Sequence, residues 1–424
     1  MLETIKNAWR VADIRKKIFF TLFIIVVFRI GSVIPVPFID YYNLSKLSEG
    51  VANDFFSYLS VLSGGGLEYG AIFAMGVQPY INSSIIVQLL TVAIPVLERW
   101  SKEGEMGQKK LAALTRYVTV ILGLIQGTAY FIYLERSDLI TAKGGWVWFA
   151  GAVVVLCFTA GSALVMWLGE QIDAKGVGNG ISMLLFAGII SRAPQAAQML
   201  YYYITLKQYV LVAGIVVAFL LMIAFIVWMT NAERRLPVQY AKRVVGRKMY
   251  GGQNTHIPIK VNMSGVMPII FASSILMLPT MILSFMKNET STMYKLLSLF
   301  SVQGVFYAII YLVLIIAFAY FYVTIQYNPV EMANNLCKNS GAIPGIRPGQ
   351  PTSDFIAKIL SRITLMGAIF LGVIAVLPIF VSAIGKVQLS LGGTSIIILV
   401  GVALDTVQNL ESQMMMRHYK GFLD

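Results

Sequence analysis

The chain has 424 residues, of which 57% are hydrophobic and only 12% are charged. Because soluble domains carry about 25% charged residues, this composition excludes an ordinary soluble domain and predicts a polytopic membrane protein. A formal net charge of +13 is high for so apolar a chain, and its meaning depends on where the charges lie. The two cysteines, Cys157 and Cys337, are too few to form a disulfide framework.

Hydropathy predicts an all-α fold with ten membrane-spanning helices, because ten apolar runs approach the roughly 20 residues that a bilayer requires. The fifth and tenth runs carry more polar residues than the others. The runs cover residues 18–38, 71–97, 113–134, 146–168, 179–200, 209–230, 264–286, 304–327, 363–384 and 394–413. Residues 1–17 are polar and basic, so we expect no cleavable signal peptide there.

The first run contains Arg29 near its predicted outer end. A charge within a membrane span is costly and is usually functional or paired. The alternative is that the long side chain of Arg29 reaches the membrane interface. Both interpretations remain open.

Residues 55–90 do not form one simple span. The apolar run at 55–62 is about two helical turns long and cannot cross a bilayer. Three glycines follow at 64–66, and the next run is interrupted at Gly76 and Pro79 and carries the amides of Gln78 and Asn82. Backbone breaks and amides at membrane depth require protein or water around them. The stretch therefore predicts either a segment folded into a pore or an extracellular loop followed by a proline-kinked span.

Lysine and arginine are distributed unevenly between the two sides of the predicted membrane. With the N-terminus inside, 24 of the 33 Lys and Arg residues lie in cytoplasmic segments and 8 lie in outer segments. This bias obeys the positive-inside rule and predicts that both termini are cytoplasmic.

Ten spans divide into two sets of five with opposite orientations, an arrangement that places a pathway between inverted repeats. The two halves show no residue-level similarity, so the repeat is inferred from topology alone. We expect an N-terminal half at residues 1–230 (spans one to five, with a short half-helix at 55–65, plus span six) and a cytoplasmic basic hairpin loop at 231–263. The C-terminal half is expected at 264–424 and includes a cytoplasmic loop at 328–362.

The two long loops are candidate docking surfaces. Alternating residues 256–261 and the pair Gly251 and Gly252 predict a β-hairpin in the first loop. The second loop is rich in proline and glycine and presents Arg347 on a turn. Basic loops beside a membrane often only set topology and contact anionic lipid. A concentrated positive surface would also steer an acidic protein or RNA toward the membrane.

Catalytic patterns are poor. The only histidines, His256 and His418, lie in predicted cytoplasmic segments outside any metal-ligand spacing, and no phosphate-binding loop is present. We therefore predict no cofactor and no metal. Ser162 has no intramembrane histidine to activate it, so the small residues 160–163 are interpreted as a close-packing surface. Asp405 is the one carboxylate near mid-depth, which is weak support for a proton-coupled carrier.

Seven short motifs together resemble the SecY family, whose members form the protein-conducting channel of the Sec translocon. The similarity extends over essentially the whole chain, and the motifs occur in order at family-like spacing. They are MGVQPYI (75–81), KEGE (102–105) with TRY (115–117), GNGIS (178–182), YAKR (240–243), FASS (271–274), PGIRPG (344–349) and GGTS (392–395).

The resemblance implies ten helices in two inverted five-helix halves around an hourglass pore with an aliphatic waist. The positions that match the waist are Val77, Ile81, Ile181, Leu185, Ile270 and Ile398. Apolar side chains at a constriction exclude water and ions while a polypeptide can still pass. Ile269 neighbours Ile270 and competes with it for the same assignment.

The resemblance also implies a plug, a lateral gate and docking residues. The plug positions are Phe55, Phe56, Leu59, Leu62, Gly64 and Gly65. The gate positions are Asn82 and Gln126, and the docking positions are Arg243, Arg247, Lys248 and Arg347. The implied partners are a SecE-type small subunit, a SecG-type subunit, a SecA motor ATPase or the ribosome, signal sequences, nascent polypeptide and lipid.

We therefore predict a non-enzymatic channel of the bacterial plasma membrane that passes unfolded polypeptide outward and releases hydrophobic segments sideways into lipid. The alternative is an inverted-repeat secondary transporter of a small solute. The near absence of mid-membrane carboxylates and the large basic loops favour the channel.

Overall fold

A computed structural model describes residues 9, 11–44, 63–142, 144–240, 243–245, 248–250, 254–285, 297, 305–385 and 393–420. The first helices are α1 (Ala12–Gly31), α2 (Gln78–Ala93), α3 (Pro95–Lys102), α4 (Glu105–Arg136), α5 (Val147–Lys175), α6 (Gly180–Ile190), α7 (Ala193–Thr205) and α8 (Tyr209–Thr230). Four strands follow, β1 (Glu233–Tyr240), β2 (Arg243–Val245), β3 (Lys248–Tyr250) and β4 (Asn254–Lys260). The remaining elements are α9 (Met267–Phe285), α10 (Val305–Gln326), α11 (Pro329–Lys338), β5 (Gly341–Ala342), α12 (Gln350–Gly385) and α13 (Gly393–Lys420).

The protein is a multi-pass helical membrane protein. Within the described ranges, six helices are long and apolar enough to cross a bilayer, or seven if α2 and α3 form one bent span. α1 includes several charged residues, and the fifth predicted span is divided into the short helices α6 and α7. The count of ten spans therefore stays a prediction.

The chain groups into two compact units. Unit 1 comprises Met1–Gln208, Met277–Ser301 and Val402–Asp424, and unit 2 comprises Tyr209–Leu276 and Val302–Gly401. This grouping differs from the predicted boundary after residue 230, because α8 belongs to unit 2. Phe225 of α8 packs against Phe370 of α12 with ring centroids 4.8 Å apart, which attaches α8 to the helices that follow it.

In unit 1, α4 packs against both α2 and α5. A Cβ atom added at Gly123 of α4 would lie 3.2 Å from the Ser162 hydroxyl of α5. A Cβ atom added at Gly161 of α5 would lie only 2.0 Å from the carbonyl oxygen of Ile72. Small residues thus bring these segments together, which confirms the interpretation of residues 160–163 as a close-packing surface.

Two prolines act differently on the second predicted span. Pro79 lies in the first turn of α2, where its missing N–H is not needed. Pro95 begins α3, and Ile94 before it is extended at φ −110° and ψ 115°. The helix pair is bent by 102° at this point. Pro79 therefore begins a helix, and the sharp bend occurs at Pro95.

In unit 2, the two long loops join in one sheet. β1 pairs antiparallel with β4, so that Glu233 faces Lys260 and Pro237 faces His256. β5 from the second loop pairs with the other edge of β1. The hairpin predicted for the first loop is confirmed, and the second loop adds the third strand.

We call this assembly of β1, β4, β5, α11 and the start of α12 the β head. Its sheet residues alternate between buried and exposed positions, as expected for a sheet covered on one face. Buried apolar side chains from both loops form a single core, with the members Leu236, Val238, Ile259, Ala333, Leu336, Ile343, Ile356, Leu360 and Ile363.

Candidate functional site

Residues 63–77 of unit 1 form a turn-rich segment with no regular helix or strand. Most of these residues are buried, and Leu67, Ala74 and Met75 belong to a core cluster with Leu134 and Phe158. Irregular backbone at membrane depth is tolerated when protein surrounds it. The segment therefore agrees with the interpretation of a chain folded into the protein.

The later part of this segment is fixed by backbone hydrogen bonds to the end of α1 and the residues after it. The N–H of Ile72 donates to the carbonyl of Ile34 at 3.0 Å, and the N–H of Val36 donates to the carbonyl of Gly70 at 2.9 Å. Pro35 and Ala71 form an antiparallel bridge. The backbone of residues 70–72 therefore pairs with that of residues 34–36, as a short strand would.

The earlier part, which we call the glycine turn (residues 63–70), is held by side chains. The Arg29 guanidinium of α1 donates to the carbonyl of Gly64. Arg192, between α6 and α7, forms an ion pair with Glu68. The Tyr130 hydroxyl of α4 donates to the carbonyl of Leu67 at 3.2 Å. The turn is therefore contacted from α1, from α4 and from the α6–α7 junction, and Arg29 is exposed but has a hydrogen-bond partner in the protein.

Gly64 is required at its position for two reasons. Its φ of +67° lies in the left-handed region that side chains disfavour. A Cβ atom would lie 3.1 Å from the Cα of Gly188 on α6. Gly65 follows with φ +88°. These are the two described members of the predicted plug, and Phe55, Phe56, Leu59 and Leu62 lie outside the described residues.

Four predicted waist positions lie in unit 1. Val77 precedes α2, and its carbonyl accepts a 3.0 Å hydrogen bond from the N–H of Ile81, so both residues share the first helical turn. Val77, Ile81 and Leu185 are buried, and Ile181 is half-buried. Ile181 lies next to Gly169, where an added Cβ atom would be 3.1 Å from its side chain.

The other two waist positions lie in unit 2. Ile398 of α13 is buried at 2% exposure. On α9, Ile269 is fully buried whereas Ile270 is half-buried. Since Val77, Leu185 and Ile398 are also buried, burial does not separate Ile270 from Ile269, and the assignment of Ile270 to the waist stays a prediction.

The predicted gate residues lie on neighbouring helices of unit 1. Asn82 of α2 and Gln126 of α4 are both half-buried, and the two helices pack against each other. Beside Asn82, the fully buried Ser83 donates to the carbonyl of Pro79 at 2.7 Å. Polar side chains thus follow the first turns of α2.

Arg347 is exposed on a rigid turn of the β head. Gly345 and Gly349 flank it with φ values of +82° and +103°. Its carbonyl accepts a 2.8 Å hydrogen bond from the hydroxyl of the buried Thr352. The preceding Ile346 packs against the core of the head. The backbone is therefore fixed while the guanidinium faces outward.

The other predicted docking residues fall between β1 and β4 in the chain. β2 and β3 form a small antiparallel hairpin in which Arg243 pairs with Tyr250 and Val245 pairs with Lys248. Arg247 lies outside the described residues. Their side-chain roles stay predictions.

Unit 1 also contains an open polar cavity of about 350 Å³ between the start of α6 and the second half of α13. Asp405, the carboxylate singled out by the sequence, is exposed there. The lining residues are Asn179, Ser182, Val402, Asp405, Thr406, Gln408, Asn409 and Ser412. Among the described residues, no cluster of three or more His, Cys, Asp or Glu side chains could hold a metal ion.

Sequence reasoning missed the Arg192–Glu68 pair, because its members lie far apart in the chain. One signal was available, since Glu68 is the only acidic residue between positions 63 and 97. A lone carboxylate in an apolar stretch predicts a buried cationic partner. The third strand of the head was also missed, because β5 has only two residues.

The fold defines the class of this protein. A solved structure of a protein-conducting channel aligns with a TM-score of 0.63 at 15% identity, over 94% of this chain and 92% of that one. Sec61 in a canine ribosome–channel complex aligns with a TM-score of 0.58 at 13% identity over the same shares. The architecture is therefore that of the SecY and Sec61 channels.

Sequence comparison identifies the family. The SecY family model matches residues 71–407. The protein translocase subunit SecY of Bacillus subtilis is 44% identical over 439 residues, and that of Mycobacterium tuberculosis is 42% identical over 443 residues. Both alignments cover all of each chain. This chain belongs to the SecY family.

Proposed function

We propose that this protein is a translocation channel that passes unfolded secretory polypeptides across the bacterial plasma membrane and releases transmembrane segments laterally into lipid. The observation that carries this proposal is the 42–44% identity to protein translocase subunits over the full length of the chain. Family membership does not favour a solute transporter. It also supports a non-enzymatic role, since these relatives are named as translocase subunits.

The waist is the proposed barrier to ions. The side chains proposed for it are all aliphatic, so a constriction built from them would exclude water without any charged group. Four of them, Val77, Ile81, Leu185 and Ile398, are among the buried apolar residues of their own units. A collar of this kind stretches around a passing chain and then closes again.

The plug and gate complete the proposed mechanism. Residues 55–65 would fill the outer funnel in the resting channel, and the buried glycine turn that follows supports a fixed attachment for them. Asn82 and Gln126 would weaken the seam between gate helices when a signal sequence inserts. Half-buried amides suit this role, because they can exchange partners without leaving a charge in lipid.

Orientation and partners follow from the charge distribution. We propose that both termini and the β head face the cytoplasm, where the head would bind a SecA-type ATPase or the ribosome. Two structural relatives, Sec61 and the yeast Ssh1 complex, were solved bound to ribosomes. The exposed Arg347 supports a docking role for the head. SecE- and SecG-type subunits would cover apolar helix faces such as that of α8, of which 6% is buried.

The proposed function is tested in vesicles that contain the purified channel, its small subunits and the motor ATPase. Protease protection of a secretory precursor should require ATP and a functional signal sequence. Replacing Ile81 and Ile398 together by asparagine should wet the waist and raise the resting ion conductance about tenfold, with relaxed signal selectivity.

Ile190→Asn is the matched control, since Ile190 lies at the end of α6 and is 43% exposed. It should leave the conductance at the wild-type level. Equal conductance in the waist variant and the wild type would contradict the waist assignment. Absence of precursor protection in the wild type would contradict the channel function.

A further inference from the structure

The glycine turn is bound by two arginines from different parts of unit 1. Arg29 lies in the last turn of α1, and Arg192 lies between α6 and α7. The first donates to the Gly64 carbonyl, and the second pairs with the Glu68 carboxylate. The Ser191 hydroxyl lies 3.3 Å from the same Gly64 carbonyl. The two ends of one short turn therefore each carry a charged contact.

The ion pair is shielded from water. The side chains of Arg192 and Glu68 are 8% and 23% exposed. Breaking a shielded pair by reversing one charge is costly, because two like charges then meet where water screens them poorly. The exposed pair between Lys109 and Glu105, at 70% and 84% exposure, contributes little by comparison.

Apart from the buried Leu67, the turn is shaped by local backbone hydrogen bonds. The N–H groups of Gly66, Glu68 and Gly70 each donate to the carbonyl three residues earlier, and the N–H of Ala71 donates to the Gly66 carbonyl at 2.8 Å. Such bonds shape each local turn but do not attach it to the helices. Regular pairing with the rest of unit 1 begins only at residues 70–72. The attachment of residues 64–68 therefore depends mainly on side chains, and the charged ones are the strongest of these.

We propose that Arg29 and Arg192 are positioning residues that fasten the glycine turn to α1 and to the α6–α7 junction, and that their strength sets how readily the channel opens. This inference rests on the proposed function. Residues 64–68 include the last two positions of the proposed plug, Gly64 and Gly65, and precede Val77 of the waist in the chain. A loosened turn would therefore favour the open state without removing any residue of the waist.

The test is a charge exchange at the shielded pair. Glu68→Arg and Arg192→Glu are made singly and together, and the resting ion conductance of reconstituted channels is measured in planar bilayers. Export of a precursor with a defective signal sequence is scored in parallel. We expect each single variant to raise the conductance about tenfold and to increase defective-precursor export. The double variant should recover most of the wild-type seal, because the opposite charges meet again.

Lys207→Glu is the matched control for Arg192→Glu, since it makes the same charge change at an exposed residue next to the end of α7. It should leave conductance and signal selectivity unchanged. Single exchanges that seal like the wild type, or a double variant that leaks as much as the singles, would overturn the proposal. If a charge exchange prevents accumulation, Glu68→Gln and Arg192→Gln replace it, and wild-type conductance in both would again overturn the proposal.

Failure of this inference and failure of the proposed function are distinguishable. A wild-type protein that protects the normal precursor, with variants that do not leak, overturns only the role of the Arg192–Glu68 attachment in setting the seal. A wild-type protein that does not protect the precursor overturns the channel function, whatever the conductance of the variants.

Discussion

The glycine turn of unit 1 and the β head of unit 2 both use arginine, but they direct it in opposite ways. Around the turn, the exposed Arg29 and the buried Arg192 both bind the chain itself. On the head, Arg347 points outward from a backbone that is already fixed by Thr352 and by a continuous apolar core. The head obtains its shape from a sheet and a core, so its charge is available to a partner. The turn has no regular structure, so its charges are used for attachment.

The largest expected difference between the glycine turn and the β head is in motor-dependent translocation. Arg347→Glu should reduce motor-dependent translocation about 30-fold or more, as for a central binding residue whose charge is reversed. The folded channel should be unaffected, because the Arg347 side chain is exposed and only its carbonyl contributes to the turn. Translocation into vesicles and thermal unfolding in detergent measure the two quantities separately.

Lys358→Glu is the control for this prediction, since it makes the same charge change at an exposed residue of α12 near the head. It should lower export much less than Arg347→Glu. Equal losses in the two variants would indicate general electrostatic attraction of a partner in place of recognition at Arg347.

A second, smaller effect concerns the packing that surrounds residues 63–77. Gly161→Ala should lower the free energy of unfolding by about 3 kcal/mol, because its Cβ would lie 2.0 Å from a backbone carbonyl that cannot move away freely. Gly214→Ala on α8 is the matched control, with nothing within 4 Å of the added Cβ. It should be neutral or slightly stabilising, since alanine favours a helix over glycine. Thermal unfolding in detergent compares the two variants.

The two regions also differ in how far the sequence predicts them. Alternation at residues 256–261 is enough to predict the β1–β4 hairpin, because a sheet imposes a period of two on its residues. The glycines at 64–66 and the small residues 160–163 likewise predict a break and a close approach. The addition of β5 to β1 and the meeting of Arg192 with Glu68 depend on tertiary contacts between distant segments. The lone Glu68 predicts a cationic partner, but no local pattern shows that Arg192 supplies it or that β5 joins β1.

Proline shows the same division between local and tertiary information. Pro79 and Pro95 lie in one apolar run, and from the sequence Pro79 but not Pro95 is singled out as an interruption. Only Pro95 coincides with the 102° bend, whereas Pro79 begins α2 after the buried turn segment. The difference arises because α2 starts where residues 63–77 leave the core. A proline that falls within the first helical turn is harmless, while one that falls between two helices accommodates a bend.

The smallest expected effect compares one helix cap in each unit. The Asn179 side chain accepts a hydrogen bond from the N–H of Ser182 at 3.0 Å at the start of α6. The Asn328 side chain accepts one from the N–H of Val330 at 3.1 Å at the start of α11. Each asparagine satisfies an N–H group that the helix leaves free, so Asn→Ala should cost about 1 kcal/mol at either site.

The two cap substitutions should differ in their effect on the resting conductance, because only α6 leads to the Arg192 contact with the glycine turn. Asn179→Ala loosens the start of α6, a helix whose far end precedes Ser191 and Arg192, and the resting conductance should rise slightly along with the loss of stability. Asn328→Ala should lower stability by a similar amount without any change in conductance, because α11 belongs to the β head. Equal conductance changes in the two variants would mean that the seal responds to overall stability and not to the position of the turn.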